Sequence, residues 1–192
     1  RNTVVPVYMG LIKQIDDHIG RLMAFLDARG LTDSTLIVFT SDHGDYLGDH
    51  WLGEKELFHD PSVRIPLIVY DPSSDAVRGQ VSDALVEAID LAPTFVEAAG
   101  GGAIPHRLEG RSLLPLLRGD RPADWRTVAF SEYDYASTPA RAELGRGASD
   151  SQLVMAVSER WKYVFAEGYR PMLFDLETDP RDLVDLGADP AF

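Results

Sequence analysis

The first thirty residues repeat apolar positions with the period of an α-helix. Apolar residues recur every three or four positions, at Leu11, Ile15, Ile19, Leu22 and Leu26. This spacing places them on one face of a helix, with charged residues on the other side. Gly30 follows as a residue that commonly ends helices. The pattern predicts an amphipathic helix over residues 7–29.

The next segment, residues 35–40, is apolar on both faces of an extended strand. Such a strand is typical of the middle of a parallel sheet that helices cover on both sides. A helix followed by such a strand is half of a βαβ unit. The two or three strands expected nearby are too few to bury it. We therefore expect further strands of this sheet from residues that precede the chain.

The rest of the chain has shorter elements and changes in character near residue 105. We predict a strand at 66–70, a helix at 90–99 with Asp90 as its N-cap, a helical turn at 113–117, strands at 127–132 and 173–176, a flexible loop at 137–150 and a hairpin of 153–157 with 161–165. The chain therefore divides into an α/β part, residues 1–105, and a smaller antiparallel α+β subdomain, residues 106–192.

Composition removes several classes of protein. The chain has 192 residues with 18 basic and 31 acidic side chains, a formal charge of −13 that argues against nucleic acid as a partner. It does not exclude a small anionic substrate, because a metal ion and one lysine can dominate a local site. No apolar run approaches the roughly 20 residues of a membrane span. The absence of cysteine excludes a thiol nucleophile and Cys-ligated metals, and it leaves the cellular compartment open.

Ionisable residues concentrate in residues 41–64, where three of the five histidines lie within 17 positions. Asp42 and His43 follow the predicted central strand directly, at the edge of an α/β sheet where ligands bind. A carboxylate oxygen and an imidazole nitrogen can both bind a divalent cation such as Mn²⁺, Ca²⁺, Mg²⁺ or Zn²⁺. Two ligands are not a complete site, so further carboxylates are expected from elsewhere.

An EF-hand calcium loop does not fit this segment. Counted from Asp42, the positions that need carboxylate ligands hold Gly44, Tyr46 and Gly53. Gly44 instead allows the backbone to turn sharply directly after His43.

Several separated motifs carry a family resemblance. They are TSDHG at residues 40–44, LGDH at 47–50, Lys55, RIPLI at 64–68, YMGLI at 8–12, DLAPT at 90–94, GRSL at 110–113, WKY at 161–163 and LFDLETDP at 173–180. In this order they resemble the sulfatase family of the alkaline phosphatase superfamily, and most of all its phosphonate monoester hydrolases and related arylsulfatases. The resemblance covers nearly the whole chain. It implies an α/β fold, with part of an alkaline-phosphatase-like, mostly parallel sheet flanked by helices, and a smaller antiparallel C-terminal subdomain.

The resemblance also implies roles for single residues. Asp42 and His43 match a pair of ligands to one divalent metal ion, for which manganese or calcium is favoured and zinc or magnesium are alternatives. Lys55 matches a catalytic, substrate-binding lysine that holds a nonbridging oxygen of the sulfate or phosphonate. His59 either lines the substrate pocket or is a hydrogen-bonded loop histidine. The position of Arg64 implies a buried structural ion pair.

The nucleophile of the family is a formylglycine made from Cys, or a Ser, in a Cys/Ser-x-Pro-x-Arg motif. The chain has no Cys, and its one formal match begins at Ser137, about a hundred residues after the metal pair rather than before it. We interpret Ser137 as a coincidence. The chain also begins at Arg1 without an initiator Met or a readable signal. We therefore expect it to be the C-terminal portion of a longer enzyme whose N-terminal part supplies the nucleophile, and to be inactive alone.

The expected function is hydrolysis of a small anionic ester: a phosphonate monoester, a phosphodiester or a sulfate ester. The C-terminal subdomain is expected to contribute to homo-oligomer contacts, as in relatives. One alternative is a two-metal phosphodiesterase or nucleotide pyrophosphatase of the same superfamily. That class needs a further downstream histidine, and the loop around His106 does not match its motif. A second alternative is a noncatalytic assembly fragment in which the acidic loop is only solvated.

Overall fold

A computed structural model describes residues 4–102 and 104–191, so the chain start at Arg1 lies outside the described residues. The helices are α1 (Val4–Ala28), α2 (Asp60–Val63), α3 (Leu91–Ala98), α4 (Leu114–Leu117) and α5 (Pro139–Glu143). The strands are β1 (Ile37–Thr40), β2 (Leu67–Tyr70), β3 (Ala129–Asp134), β4 (Gln152–Val157), β5 (Trp161–Ala166) and β6 (Met172–Asp175). Short 3₁₀ turns occur at Thr32–Ser34, Asp49–Trp51, Ala88–Asp90 and Ala148–Asp150.

Helix α1 confirms the amphipathic helix, which begins three residues before its predicted start. None of its 25 residues is buried against the rest of the described chain. Leu11, Ile15 and Leu22 of the apolar stripe are each more than half exposed. The stripe therefore packs against no core within the described residues. None of the described helices is long and apolar enough to cross a membrane.

Strands β1 and β2 form a two-stranded antiparallel sheet, with Ile37 opposite Tyr70 and Thr40 opposite Leu67. The parallel neighbours predicted for β1 are not found among the described residues. The connection from β1 to β2, residues 41–66, contains only a 3₁₀ turn and the single-turn helix α2. A parallel pair would need a crossover connection, usually a helix that packs on the sheet. This loop instead carries the polar segment identified in the sequence.

The second sheet is an antiparallel meander with the strand order β3-β4-β5-β6. The predicted hairpin is confirmed: Leu153 pairs with Ala166 and Val157 with Lys162. Strand β3 begins two residues later than predicted. The predicted flexible loop, residues 137–150, contains α5 and the last 3₁₀ turn.

Helix α3 confirms the predicted helix, but the role of Asp90 as its side-chain cap is wrong. Asp90 is fully buried, and its carboxylate accepts hydrogen bonds from the backbone of Glu87 at 2.8 Å and Arg111 at 2.7 Å. Arg126 binds both carboxylate oxygens through two nitrogens. Burial alone would raise the pKa of Asp90, but these hydrogen bonds outweigh it and hold the pKa below its ordinary value. The residue joins three segments of the chain rather than capping one helix.

Two apolar clusters form the core. Phe58 of the β1–β2 loop packs with Met155, Val164 and Phe174 of the four-stranded sheet. Leu113, Leu116 and Trp125 form the second cluster, beside Leu67 and Leu91. The first cluster attaches the polar loop to the C-terminal sheet, and this attachment positions the candidate site.

Candidate functional site

The loop between β1 and β2 has an unusual backbone. Non-glycine residues with φ between 47° and 79° concentrate in it, at Leu47, His50, Trp51, Glu54 and Leu57. Non-glycine residues rarely adopt this left-handed region, and each such conformation costs free energy that the surroundings must supply. The loop is therefore held in one specific path by its contacts.

Asp42 and His43 lie directly after β1 and contact each other. The backbone N–H of His43 donates to Oδ1 of Asp42 at 2.9 Å, and Nε2 of His43 lies 3.4 Å from Oδ2. The hydrogen bond from the His43 backbone is the main reason that the pKa of Asp42 lies below its ordinary value. The Asp42 side chain is 84% exposed, so its ionised carboxylate is open to a ligand.

The hydrogen-bond partners of His43 indicate which of its ring nitrogens donates and which accepts. Nδ1 lies 2.8 Å from the carbonyl oxygen of Gly44, which can only accept, so Nδ1 carries the proton. Nε2 lies 2.8 Å from Nζ of Lys55, and a charged lysine has no lone pair to offer. Nε2 is therefore the acceptor, with its lone pair directed at a cation. A neutral imidazole with Nδ1–H bonded to a backbone carbonyl is the form in which Nε2 ligates a metal.

Helix α2 fixes the distance between Gly44 and Lys55. The N–H of Gly44 donates to the carbonyl of Ser62 at 2.7 Å, and the Ser62 hydroxyl donates to the carbonyl of Lys55. A Cβ on Gly44 would collide with the carbonyl oxygen of Pro61. Gly44 is thus required by the close approach of α2. The sequence expectation that this position has no room for a Cβ is confirmed, although Gly44 does not adopt a positive φ.

His59 belongs to a neighbouring group of rings. Its backbone N–H donates to the hydroxyl oxygen of Tyr46 at 3.3 Å, so the phenol proton is available to Nδ1 of His59, 2.8 Å away. The imidazole also stacks on His50, with ring centroids 3.9 Å apart. Burial and then the neighbouring His50 and Lys162 lower the pKa of His59 to about 4. His59 is therefore neutral near pH 7 and accepts from Tyr46.

A buried lysine of the C-terminal sheet reaches the same loop. Lys162 on β5 is 2% exposed, and its Nζ donates to Oδ2 of Asp182 at 2.5 Å, Oδ1 of Asp60 at 3.0 Å and the carbonyl of Phe58 at 3.3 Å. All three N–H groups of the ammonium thus have acceptors. Asp60 is the first residue of α2, so this cluster attaches α2 to β5.

The structure brings together Asp42, His43 and Lys55, as the sequence predicts, and places His59 in the adjacent ring group. Arg64 is a correction: its side chain is 82% exposed and lies 3.3 Å from Asp60, so it forms no buried ion pair within the described chain. A buried ion pair would need other residues to pack over Arg64, and none of the described residues does so.

Ser137 lies in an exposed turn between β3 and α5, whereas the candidate ligands follow β1. Among the described residues, no group of three or more His, Asp or Glu side chains is arranged to hold a metal. Asp42 and His43 are therefore two candidate ligands, and the described residues bring no third His, Asp or Glu to them.

Sequence reasoning missed Ser62, Tyr46 and the Lys162–Asp182 contact. The WKY motif was the one signal for Lys162, and it did not show that the side chain is buried or what it binds. Nothing in the sequence pointed to Ser62, because its role depends on two backbone contacts made after folding.

Comparison with known proteins gives a consistent result. The sulfatase family model matches residues 2–101. The multifunctional alkaline phosphatase superfamily protein PehA of Trinickia caryophylli is 40% identical over 188 residues, covering 96% of this chain and 36% of that protein. The chain thus spans about a third of the length of the curated relatives it matches.

Two solved structures are similar throughout the chain. The phosphonate monoester hydrolase of Silicibacter pomeroyi superposes with a TM-score of 0.90 at 39% identity, over 96% of this chain and 37% of that one. The phosphonate monoester hydrolase of Agrobacterium radiobacter gives a TM-score of 0.89 at 35% identity, with the same coverage of both chains. These neighbours confirm the expected fold class, α/β and alkaline-phosphatase-like with an antiparallel C-terminal subdomain. The chain belongs to the sulfatase family.

Proposed function

We propose that the chain supplies two metal ligands and a substrate-binding lysine to a metal-dependent ester hydrolase of the sulfatase type. The observation that carries this proposal is the contact of His43 Nε2 with Lys55 Nζ at 2.8 Å, beside the exposed carboxylate of Asp42. The contact places a candidate ligand and a candidate substrate-binding cation in one group, although 12 positions separate them in the sequence.

The chemistry of Asp42 and His43 fits a divalent cation. Asp42 offers an exposed carboxylate whose pKa lies below its ordinary value, and Nε2 of His43 directs its lone pair at the ammonium of Lys55, a cation. An oxygen and an imidazole nitrogen suit manganese or calcium, with zinc or magnesium as alternatives. Such an ion would polarise the ester and offset charge on the transferring group. The remaining ligands are assigned to the part of the enzyme that precedes this chain.

The role of Lys55 follows from the single lone pair of His43 Nε2. If His43 were to hold a metal ion, that lone pair would be in use, and the Lys55 ammonium would be free of its hydrogen bond to Nε2. A positive charge next to the metal pair then stabilises a nonbridging oxygen of an anionic ester, most strongly as charge builds in the transition state. Lys55 thus binds substrate, and it contributes to catalysis through fixed charge rather than proton transfer.

The contacts of His59 favour the second of its two expected roles, the hydrogen-bonded loop histidine. Its Nδ1 is used by Tyr46 and its ring face by His50. A substrate contact through the opposite nitrogen, Nε2, stays a proposal that an asparagine substitution can test.

The chain acts together with a preceding N-terminal part of the same enzyme, which supplies the formylglycine or serine nucleophile. Three observations support this proposal: the absence of cysteine, the coverage of about a third of each relative, and the apolar stripe of α1, none of whose residues is buried in the described chain. We propose that the N-terminal part covers this stripe. The division at residue 105 and homo-oligomer contacts through the C-terminal subdomain also stay proposals.

The substrates proposed are small anionic esters, and among them phosphonate monoesters. The Asp-His pair and the two solved phosphonate monoester hydrolases similar to this chain favour these over sulfate esters. The two-metal alternative is less favoured, because it needs a further downstream histidine and the loop around His106 does not match its motif.

The test uses the intact enzyme that contains this chain, loaded with Mn²⁺, and compares turnover of an aryl phosphonate monoester with that of an aryl sulfate. Faster turnover of the phosphonate by orders of magnitude supports the proposal. Faster turnover of the sulfate keeps the hydrolase type and overturns the phosphonate preference. The 192-residue chain alone is the control, and turnover by it would show that the nucleophile lies within it.

A further inference from the structure

Lys162 of the C-terminal sheet lies far in sequence from the proposed site, yet it binds the loop that forms that site. It is 102 positions from Asp60, and the two side chains form an ion pair at 3.0 Å. Lys162 is 2% exposed, and a lysine buried to this degree needs acceptors for its charge. Its three acceptors lie in two segments: the carbonyl of Phe58 and the carboxylate of Asp60 in the β1–β2 loop, and the carboxylate of Asp182 near the C-terminus.

The acceptor Asp182 combines burial of its side chain with an uncommon backbone conformation. It is buried, and its φ of 55° lies in the left-handed region that favours glycine. Its Oδ2 accepts from Lys162 at 2.5 Å. A strained residue that turns its carboxylate onto a buried ammonium fixes the direction of the lysine side chain. The same ammonium donates to Asp60 at the start of α2, so it links Asp182 to this helix.

From α2 the path continues to the proposed site in two hydrogen bonds. Ser62, in the same helical turn as Asp60, donates through its hydroxyl to the carbonyl of Lys55. Its own carbonyl accepts from the N–H of Gly44, the residue after His43. Both residues of the His43–Lys55 contact are therefore tied through their backbone to a helix that Lys162 anchors.

We propose that Lys162 is a positioning residue for the reaction: by anchoring α2 through Asp60, it sets the position of Lys55 relative to His43. This inference rests on the proposed function. Lys162 touches no reacting atom. It acts through Lys55, and the electrostatic stabilisation that Lys55 provides falls when its position shifts by a fraction of an ångström to an ångström.

The test measures steady-state kinetics of the intact, metal-loaded enzyme, corrected for the folded fraction. Lys162→Met, which keeps most of the side-chain volume, is expected to lower kcat by roughly 10–100-fold with KM changed little. Lys162→Arg, which restores the charge and the donors, is expected to recover part of this loss. The control is Arg160→Met, which removes the ion pairs of a half-exposed arginine with Asp175 and Glu177, neither of which lies on α2. It is expected to keep the wild-type kcat.

A double variant separates positioning from a general loss of stability. If Lys162 acts through Lys55, then Lys162→Met adds little to the kcat loss of Lys55→Ala, because the same interaction is already gone. Multiplicative losses, or a wild-type kcat in folded Lys162→Met, would overturn the inference while the proposed function stands. A wild-type kcat in Lys55→Ala would overturn the proposed function itself.

Removal of Lys162 leaves the buried carboxylate of Asp182 without its partner, which is strongly destabilising. Asp60→Ala therefore serves as a second variant, because it keeps the Lys162–Asp182 pair and removes the anchor on α2. It also removes the ion pair of Asp60 with Arg64, which is exposed and therefore weak. Asp60→Ala is expected to lower kcat by a factor similar to that of Lys162→Met. In the Lys55→Ala background, Asp60→Ala is expected to lower kcat little further. An unchanged kcat in Asp60→Ala would contradict the inference.

Discussion

The side-chain nitrogen of Lys55 lies 2.8 Å from Nε2 of His43. Each residue alone is unremarkable in sequence, since a single lysine is usually a solvated surface residue and a histidine after a strand is usually a loop residue. Their contact is made across a strained loop that α2 holds in place. It joins a candidate metal ligand and a candidate substrate-binding cation in one exposed group.

The first prediction concerns metal content. In the intact enzyme, Asp42→Asn and His43→Gln are each expected to weaken metal affinity by more than about tenfold, because each removes or neutralises a donor atom. Inductively coupled plasma mass spectrometry after dialysis measures the bound metal. Asp33→Asn, an exposed aspartate before β1, is the matched control and should retain wild-type metal.

The same measurement decides between the two enzyme classes. One metal ion per active site in the wild type is expected. Two ions per site would contradict the one-metal account and favour the phosphodiesterase alternative.

The second prediction concerns Gly44. Gly44→Ala forces a Cβ against the carbonyl oxygen of Pro61, so either α2 or the residue after His43 must move. We expect a loss of about 1–3 kcal/mol in the free energy of unfolding, measured by urea denaturation, together with a lower kcat. Gly53→Ala lies in the same loop with open space around the new Cβ, and it should change neither quantity much. Equal effects of the two substitutions would show that the α2 contact is not the reason for glycine at position 44.

The third prediction concerns the pH dependence of stability. The folded-state pKa of His59 is lowered from 6.5 to about 4, so above pH 6.5 the residue is neutral in both states. Between pH 6.5 and about 4 the unfolded chain binds a proton that the folded chain does not, and the free energy of unfolding falls as the pH falls. The slope approaches at most about 1.4 kcal/mol per pH unit.

His59→Asn removes this titration and keeps an acceptor for Tyr46. Urea denaturation of both proteins from pH 4 to 8 should give parallel curves above pH 6.5 and a shallower slope for the variant below it. The same slope for both proteins would show that His59 takes up its proton alike in the folded and unfolded states.

Strong local patterns allowed much of the fold to be predicted. The apolar stripe of α1 and the alternation of the β4–β5 hairpin are set by nearby residues, and both elements are present with ends shifted by a few residues. The role of Asp90 could not be predicted from local patterns. Its position suggested a helix cap, but its partner Arg126 lies 36 residues away and only folding brings the two together.

The candidate site was predictable only in part. Asp42, His43 and Lys55 came from their place after a strand and from a resemblance of motifs, since composition alone favours no role for them. The residues that hold them, Ser62 and Lys162, act through backbone carbonyls and a contact spanning 102 positions. No local pattern encodes such contacts, so the sequence could not show that the C-terminal sheet supports the site.

Turnover of an aryl phosphonate monoester by Lys55→Ala in the intact, metal-loaded enzyme measures the role of Lys55 directly. Loss of one preorganised charge near the transferring group is expected to lower kcat by roughly 10²–10³ while the metal content stays unchanged. The matched control is Lys13→Ala, an exposed lysine on α1 that pairs with Asp17, and it should retain the wild-type rate. Near-normal turnover of Lys55→Ala would contradict the assignment of this group as part of the active site.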